Sequence, residues 1–186
     1  MGLVTIDLSK FKRVKQTLED ECIACCLESV LYYYGYEDKS KTDFYSILKP
    51  KYALNFKGVI DNIAPLYPKL NFKFKNHNND IKQLLNYIKS RINHKIPIIT
   101  AIKSDYHHKN LFQRKTLYKL LNVLDIINPV AGTISSHIIT VIGYNSENII
   151  FYEQGKQEFI SLNYTNLVFE TIIQDGRYDT LVIFDK

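Results

Sequence analysis

The stretch "QTLEDECIACCLESVLYYYGYE", residues 16–37, decides the fold, because it joins all three cysteines of the chain to a long apolar segment. From residue 22 to residue 34 the side chains are apolar almost all round, and Glu28 and Ser29 are the clear polar interruptions. Such a pattern is typical of a helix buried on every side. We therefore predict a central helix that ends at Gly35, a residue common just past helix C-termini.

The three thiols admit several roles, which their spacing helps to separate. The chain has no second CxxC or HxxxH pair near them, so we expect neither a metal site nor a cofactor. A disulfide within one helix has poor geometry, and packing is the ordinary role of free cysteines. Cys22, however, would lie in the first turn, where backbone N–H groups and the helix dipole stabilise a thiolate. Cys25 and Cys26, one turn deeper, suit packing, and Cys22 is the candidate nucleophile.

Composition bounds the class of protein. Of 186 residues, 46% are hydrophobic and 23% are charged, as in an ordinary single globular domain. The net charge of +5 is spread over scattered lysines, which argues against a nucleic-acid partner. No apolar stretch approaches the roughly 20 residues of a transmembrane helix. We expect one domain over residues 1–186, with no transmembrane segment.

The cysteine count and the N-terminus indicate the compartment. The basic residues of "MGLVTIDLSKFKRVK" follow its short apolar run, whereas a signal peptide has them first. An odd number of cysteines without an export signal predicts free thiols in a reducing environment. We expect a cytoplasmic protein.

Helical patterns dominate the first half of the chain and β-rich runs the second. After the central helix, apolar spacing predicts helices over residues 42–48, 58–68 and 78–92, with Thr42 and either Asn79 or Asp80 as caps. Further helices are expected within residues 104–134 and 164–173. Strands are predicted over residues 69–74, 96–102, 137–144, 148–153, 156–162 and 180–185. Helices followed by an antiparallel sheet make an α+β fold.

A nucleophilic cysteine needs a donor for the oxyanion and a base. Gln16, six residues before Cys22, could supply a side-chain amide to the oxyanion. Among the histidines, His77 and His94 fall in polar turns and are expected to be solvated. His137 differs, because it opens the most hydrophobic strand and can emerge at the end of that strand. His137 is the candidate base.

A third group should orient the imidazole. The turn at Asn145–Ser146 predicts a hairpin that brings His137 near the end of the partner strand. That strand ends at Glu153, which Gln154 follows. We expect Glu153, or Gln154 beside it, to hold the Nδ1 proton of the histidine.

Three stretches together resemble a known family: "QTLEDECIACCLESVLYYYG", "HKIPIITAI" and "HIITVIGYNSENIIFYEQ". They are similar to the bacteriocin-processing peptidases, papain-like leader peptidases found alone or fused to peptide exporters. The resemblance implies a papain-like fold, in which an N-terminal helical part with the nucleophile helix packs on a C-terminal antiparallel sheet. It also implies roles for four residues: Gln16 in the oxyanion hole, Cys22 as nucleophile, His137 as base and Glu153 as orienting acid.

The chain departs from the family pattern at two places near these residues. Ile23 stands where the family has glycine, so its side chain is expected to border the substrate cleft and narrow it. Glu153–Gln154 stand where the family has Asp-Pro. Glutamate can still accept a hydrogen bond from imidazole, but its additional methylene changes the reach.

A third departure is the length of the segment 104–134, which exceeds the usual connection before the histidine. A long insertion beside the base is interpreted as a lid or a substrate-recognition element. Its "SDYHHKN" places Tyr106 and His107 as candidate substrate contacts.

Three functions remain open. The first is a cysteine peptidase that removes a leader or propeptide through Cys22, His137 and Glu153, with Gln16 at the oxyanion. The second is a papain-like acyltransferase, similar to the enzymes of butirosin biosynthesis, that moves an acyl group from a carrier thioester to an amine. The third is a non-catalytic module that binds leader peptides; degenerate modules of that kind lose the cysteine or the histidine, and this chain has both. The expected partner is a peptide or an acyl carrier.

Overall fold

A computed structural model describes residues 2–18, 20–48, 56–78, 80–103, 136–164 and 179–186. Its helices are α1 (Cys22–Tyr33), α2 (Lys41–Leu48), α3 (Phe56–Ile63) and α4 (Ile81–Asn93). Its strands are β1 (Val4–Thr5), β2 (Leu70–Asn76), β3 (Ile98–Lys103), β4 (Ser136–Tyr144), β5 (Asn148–Glu153), β6 (Glu158–Asn163) and β7 (Asp179–Asp185). The insertion 104–134 and the helix predicted beyond residue 164 lie outside the described residues.

Helix α1 is the predicted central helix, and residues 22–31 are all buried in it. It ends as predicted, because Gly35 has a φ of +81°, which other residues rarely adopt. Two hydrogen bonds of the Schellman pattern close this end. One runs from the N–H of Gly35 to the Tyr32 carbonyl, and the other from the N–H of Tyr36 to the Leu31 carbonyl. The helix is thereby held at one end by backbone geometry and along its length by packing.

The strands form one sheet in the order β2-β7-β3-β4-β5-β6, and β1 pairs with β4 outside this path. All of these pairings are antiparallel. The sequence predicted an antiparallel sheet packed against the nucleophile helix, and that arrangement is confirmed. The sheet also draws strands from the N-terminal half, since β2 pairs along its whole length with β7.

Both faces of the sheet are covered by helices, which gives three layers. Helices α1, α2 and α3 pack on the face that presents Ile99, Ala101, Ile138, Leu181 and Ile183. Helix α4 packs on the opposite face, which presents Ile98, Ile139, Val141 and Val182. Because side chains alternate along a strand, a sheet buried on both faces requires nearly continuous apolar strands, as "IITVIGY" and "TLVIF" are. Each such Ile, Leu or Val contributes about 1.5–3 kcal/mol when fully buried.

Helix starts follow the predicted chemistry, with one correction. Asp80 caps α4, and its side chain accepts hydrogen bonds from the next turn, as expected for one of the two predicted caps. Helix α2 begins one residue earlier than predicted, at Lys41. Its start is stabilised by Ser40 and Asp43, since the Asp43 carboxylate accepts from the Ser40 N–H at 2.8 Å. The predicted cap Thr42 was wrong, because a reciprocal Ser-x-x-acid pair lies two residues before it.

One further structural finding concerns membranes. Within the ranges that the structure describes, no helix is both long enough and apolar enough to cross a membrane.

Candidate active site

Cys22 is the first residue of α1, as predicted. The first intrahelical hydrogen bond runs from the Cys25 N–H to the Glu21 carbonyl at 2.9 Å, so the N–H of Cys22 precedes the helical ladder. The side chain is 4% exposed. Cys22 therefore lies at the positive end of the helix dipole.

His137 and Glu153 meet across the β4–β5 hairpin, although they are sixteen residues apart. Nε2 of the imidazole lies 3.1 Å from Oε1 of Glu153, and the two side chains are 13% and 1% exposed. The Cys22 side chain also acts on the imidazole, since its interaction with the ring raises the pKa of His137. The predicted use of Nδ1 for the carboxylate was wrong, because Glu153 takes Nε2.

The charges around His137 favour its protonated form. Burial alone would lower its pKa, but the hydrogen bonds to Cys22 and Glu153 and the charge of Glu153 raise the pKa to about 9. An imidazolium between a thiolate and a carboxylate has an opposite charge on each side. This arrangement can act as a preformed proton donor at neutral pH.

The other two cysteines have the packing role that was predicted. Cys25 and Cys26 are fully buried. Burial raises the pKa of Cys25 to about 12, and it also raises the pKa of Cys26. Because the thiolate is the nucleophile, these two thiols are inert beside Cys22.

Gln154, the alternative orienting group, points elsewhere. Its amide Nε2 lies 2.7 Å from Cys26 Sγ and donates to the Ile138 carbonyl at 3.1 Å. The residue is fully buried and links the end of β5 to α1 and β4. The structure thus brings Glu153 to the histidine, while Gln154 satisfies polar groups in the core.

Gln16 lies in the segment before α1 and is attached to the same corner of the sheet. Its backbone N–H donates to the Gln154 carbonyl at 3.2 Å, directly beside Glu153. Its side-chain Nε2, which carries two hydrogens, donates to the Leu18 carbonyl at 2.8 Å. Gln16 is therefore joined through backbone contacts to the strand that carries Glu153.

Two residues near this site, Glu21 and Lys41, carry charges that the sequence alone did not single out. Glu21 precedes the nucleophile, and its carboxylate lies 2.9 Å from Nζ of Lys41. Burial would raise the pKa of Glu21, but hydrogen bonds from Lys41, Thr17 and Leu18 lower it to about 2. The acid in "DEC" was the only sequence signal, and its partner lies twenty residues away.

The structure describes one of the three predicted substrate contacts, Ile23. Ile23 is 2% exposed and belongs to the core cluster that also contains Cys22. Its contact with substrate stays a prediction. Tyr106 and His107 lie outside the described residues. Across the residues described, no group of three or more His, Cys, Asp or Glu side chains is arranged to hold a metal ion.

Two solved structures share the fold of this chain over nearly its whole length. A protein described as a C39-like peptidase from Bacillus anthracis superposes with a TM-score of 0.58 at 11% identity, over 100% of this chain and 99% of that one. The fold is that of the C39 peptidases. The peptidase domain of Streptococcus ComA, a bifunctional ABC transporter of a quorum-sensing pathway, superposes with a TM-score of 0.54 at 15% identity, over 94% of this chain and 96% of that one.

The structural comparison confirms, at the level of fold, the resemblance to bacteriocin-processing peptidases and the papain-like architecture predicted from the sequence. No protein-family model matches the sequence, and no curated protein matches it either. The likeness is therefore one of backbone fold.

Proposed function

We propose that this protein is a cysteine peptidase of the papain type that hydrolyses a peptide bond in a leader or propeptide. The observation that carries the proposal is the hydrogen-bonded series Cys22, His137 and Glu153 at the N-terminus of a buried helix. The C39 peptidase fold of its structural neighbours supports the same reaction class. A nucleophile, a base and a group that orients the base form the usual apparatus of covalent acyl transfer.

The residues divide the reaction as follows. The Cys22 thiolate attacks the carbonyl carbon and forms a C–S bond, while the carbonyl electrons move to oxygen. The N–H of Cys22 and the Gln16 amide donate to that oxyanion. His137 then gives its proton to the leaving amine as the C–N bond breaks. Water attacks the thioester, His137 takes a proton from it, and the acid product leaves with the thiol regenerated.

The local charges suit this sequence of steps. With the pKa of His137 raised to about 9, the imidazolium is available at neutral pH to protonate a poor leaving group. Glu153 stabilises the charge and fixes the ring, since one of its oxygens holds Nε2 and also accepts the Gly155 N–H at 3.1 Å. We infer a reducing, cytoplasmic compartment, which the free state of the three thiols supports.

The test uses p-nitrophenyl acetate as an acyl donor that needs no leader recognition. The wild-type protein should release a burst of p-nitrophenol, form an acetyl-enzyme detectable by mass spectrometry, and return to free thiol in water alone. Cys22→Ala should form no acetyl-enzyme, whereas Cys25→Ala should behave as wild type. Because peptide hydrolysis is the claim, cleavage of a mixed peptide library by the wild-type protein completes the test.

Each negative result of this test would indicate a different function. An acetyl-enzyme that persists in water and is discharged only by an added amine such as glycinamide would identify an acyltransferase. Absence of both the burst and peptide cleavage would indicate a module that only binds peptides.

A further inference from the structure

Glu21 carries its carboxylate away from the helix that it precedes and back toward the segment before it. Its Oε2 accepts hydrogen bonds from the backbone N–H of Thr17 at 2.9 Å and of Leu18 at 3.0 Å. It also accepts from the Thr17 hydroxyl at 2.8 Å, and Glu21 is only 5% exposed. Charge-assisted bonds of this kind are stronger than neutral ones, so the start of α1 is tied firmly to residues 17 and 18.

Lys41, at the start of α2, holds the same segment from the other side. Its Nζ donates to Glu21 Oε2 at 2.9 Å, to the Lys15 carbonyl at 2.9 Å and to the Thr17 hydroxyl at 2.7 Å. Its backbone N–H donates to Glu28 Oε2 at 2.6 Å. One lysine thus joins α1, α2 and the preceding segment, and it is mostly buried while doing so.

The bonds to Lys15, Thr17 and Leu18 flank Gln16. The carbonyl of Lys15 is held on one side, and the N–H groups of Thr17 and Leu18 are held on the other. The side chain of Gln16 takes its direction from the Leu18 carbonyl, which belongs to the same fixed segment. A donor stabilises an oxyanion well only when its position is set before the charge develops.

We propose that Glu21 and Lys41 are positioning residues, which hold Gln16 in the place where its amide and the N–H of Cys22 face one oxygen atom. This inference rests on the proposed function. Neither residue touches the reacting atoms.

The experiment compares two reactions of Cys22 in Lys41→Met and Glu21→Gln. Acylation by p-nitrophenyl acetate develops an oxyanion, whereas alkylation by iodoacetamide does not. We expect kcat for acylation to fall about 10- to 100-fold with KM within about twofold, because a misplaced oxyanion donor acts on the transition state. Alkylation should change by less than about threefold, since it uses the thiolate alone.

Two controls match these variants. Lys41→Arg keeps the cation and its donors and should retain most of the activity. Lys12→Met breaks another ion pair made by a carboxylate of α1, in which the half-exposed Lys12 Nζ lies 2.6 Å from Glu28 Oε1, without touching residues 15–18. It should acylate as wild type. Equal losses of acylation and alkylation, or an unchanged acylation rate, would overturn the proposal.

Hydrogen exchange separates this proposal from the proposed function. The amides of Thr17 and Leu18 should be protected in the wild-type protein and should exchange at least about tenfold faster in Glu21→Gln, because their acceptor is weakened. If the wild-type protein forms no acetyl-enzyme, the proposed function fails, and the exchange rates still decide on the fixed segment. Unchanged exchange at both amides would overturn the proposal that Glu21 holds residues 17 and 18.

Discussion

The carboxylate of Glu153 lies 3.1 Å from Nε2 of His137 across a hairpin whose strands pair from Thr140 with Tyr152 to Tyr144 with Ile149. The pair forms beyond the last paired residues, where the two strands end beside α1. Antiparallel pairing fixes which side chains share a face, and diagonal neighbours on one face are within reach of long side chains. A local hairpin thus builds the proposed base and its proposed orienting acid in one unit, to which α1 brings Cys22, the proposed nucleophile.

Glu153→Gln should move the alkaline limit of activity. The carboxylate raises the pKa of His137, so its loss lowers that pKa below about 9. Acylation should therefore decline at a lower pH, and the maximal rate should fall at least about tenfold, because the proton donor is less often charged and less well oriented. The measurement is the rate of p-nitrophenol release from about pH 6 to about pH 10, corrected for spontaneous hydrolysis.

The matched control for this variant is Glu158→Gln. Glu158 pairs with Glu153 in register on β6 but is exposed and belongs to the opposite strand. Its profile should follow wild type. A Glu153→Gln profile that overlays the wild-type one would show that another group orients the histidine.

Iodoacetamide should modify Cys22 alone at mildly acidic pH. Burial raises the pKa of Cys25 to about 12 and also raises that of Cys26, whereas Cys22 hydrogen-bonds with a protonated histidine. Mass spectrometry of the digested protein should find one carbamidomethyl group, on Cys22, and none in Cys22→Ala. Equal labelling of the three thiols would contradict the assigned nucleophile.

Gln154→Leu should destabilise the protein without removing the reactivity of Cys22. The amide donates to the Ile138 carbonyl, which leucine would leave in the core with the weaker donor Cys26 Sγ at 3.6 Å. The expected loss in the free energy of unfolding is about 1–3 kcal/mol, measured by urea denaturation. The rate of alkylation of Cys22 should stay near wild type, because this amide contacts Cys26 and not His137. A fall in that rate with no change in stability would place Gln154 in the site instead.

Gly143→Ala should loosen the short strand β1. A Cβ on residue 143 would lie 2.8 Å from the Val4 carbonyl oxygen and 2.9 Å from Thr5 Cγ2, both closer than real contacts allow. Since the nearest atom is backbone, β1 has to shift, and we expect a loss of about 1–3 kcal/mol in unfolding free energy. Gly2→Ala is the control, because nothing lies within 4 Å of its added Cβ. Equal stabilities of the two variants would contradict the close approach.

Glu21→Gln should change the dependence of stability on acid. Folding lowers the pKa of Glu21 from 4.5 to about 2, so its contribution is present above about pH 4.5 and is lost as the pH falls toward 2. The urea midpoint of the wild-type protein should therefore fall more steeply than that of the variant within this window. Asp7→Asn is the control: hydrogen bonds from Ser9 lower the pKa of Asp7, but solvent screens this exposed group. Parallel slopes for wild type and Glu21→Gln would show that the carboxylate is not held as described.

Sequence periodicity was sufficient to predict the helices and strands that bury continuous apolar surface. Helix α1, its end at Gly35 and the β4–β5 hairpin are local in origin, because side-chain period, turn residues and helix-ending glycine act within a few positions. For the same reason Cys22 and His137 could be singled out: one begins a helix and the other opens a strand. The papain-like fold was implied by the resemblance of these stretches to bacteriocin-processing peptidases, and the structural neighbours confirm it at the level of fold.

The tertiary structure decided matters that depend on distances between remote segments. Only it shows that Glu153 meets Nε2 of the histidine while Gln154 turns to Cys26, since the two polar residues are adjacent at the end of the same strand. Only it shows that Lys41 reaches Glu21 across twenty residues. Hydrogen bonds form within about 3 Å and at defined angles, so a one-dimensional pattern can predict which residue types are present but not which of them meet.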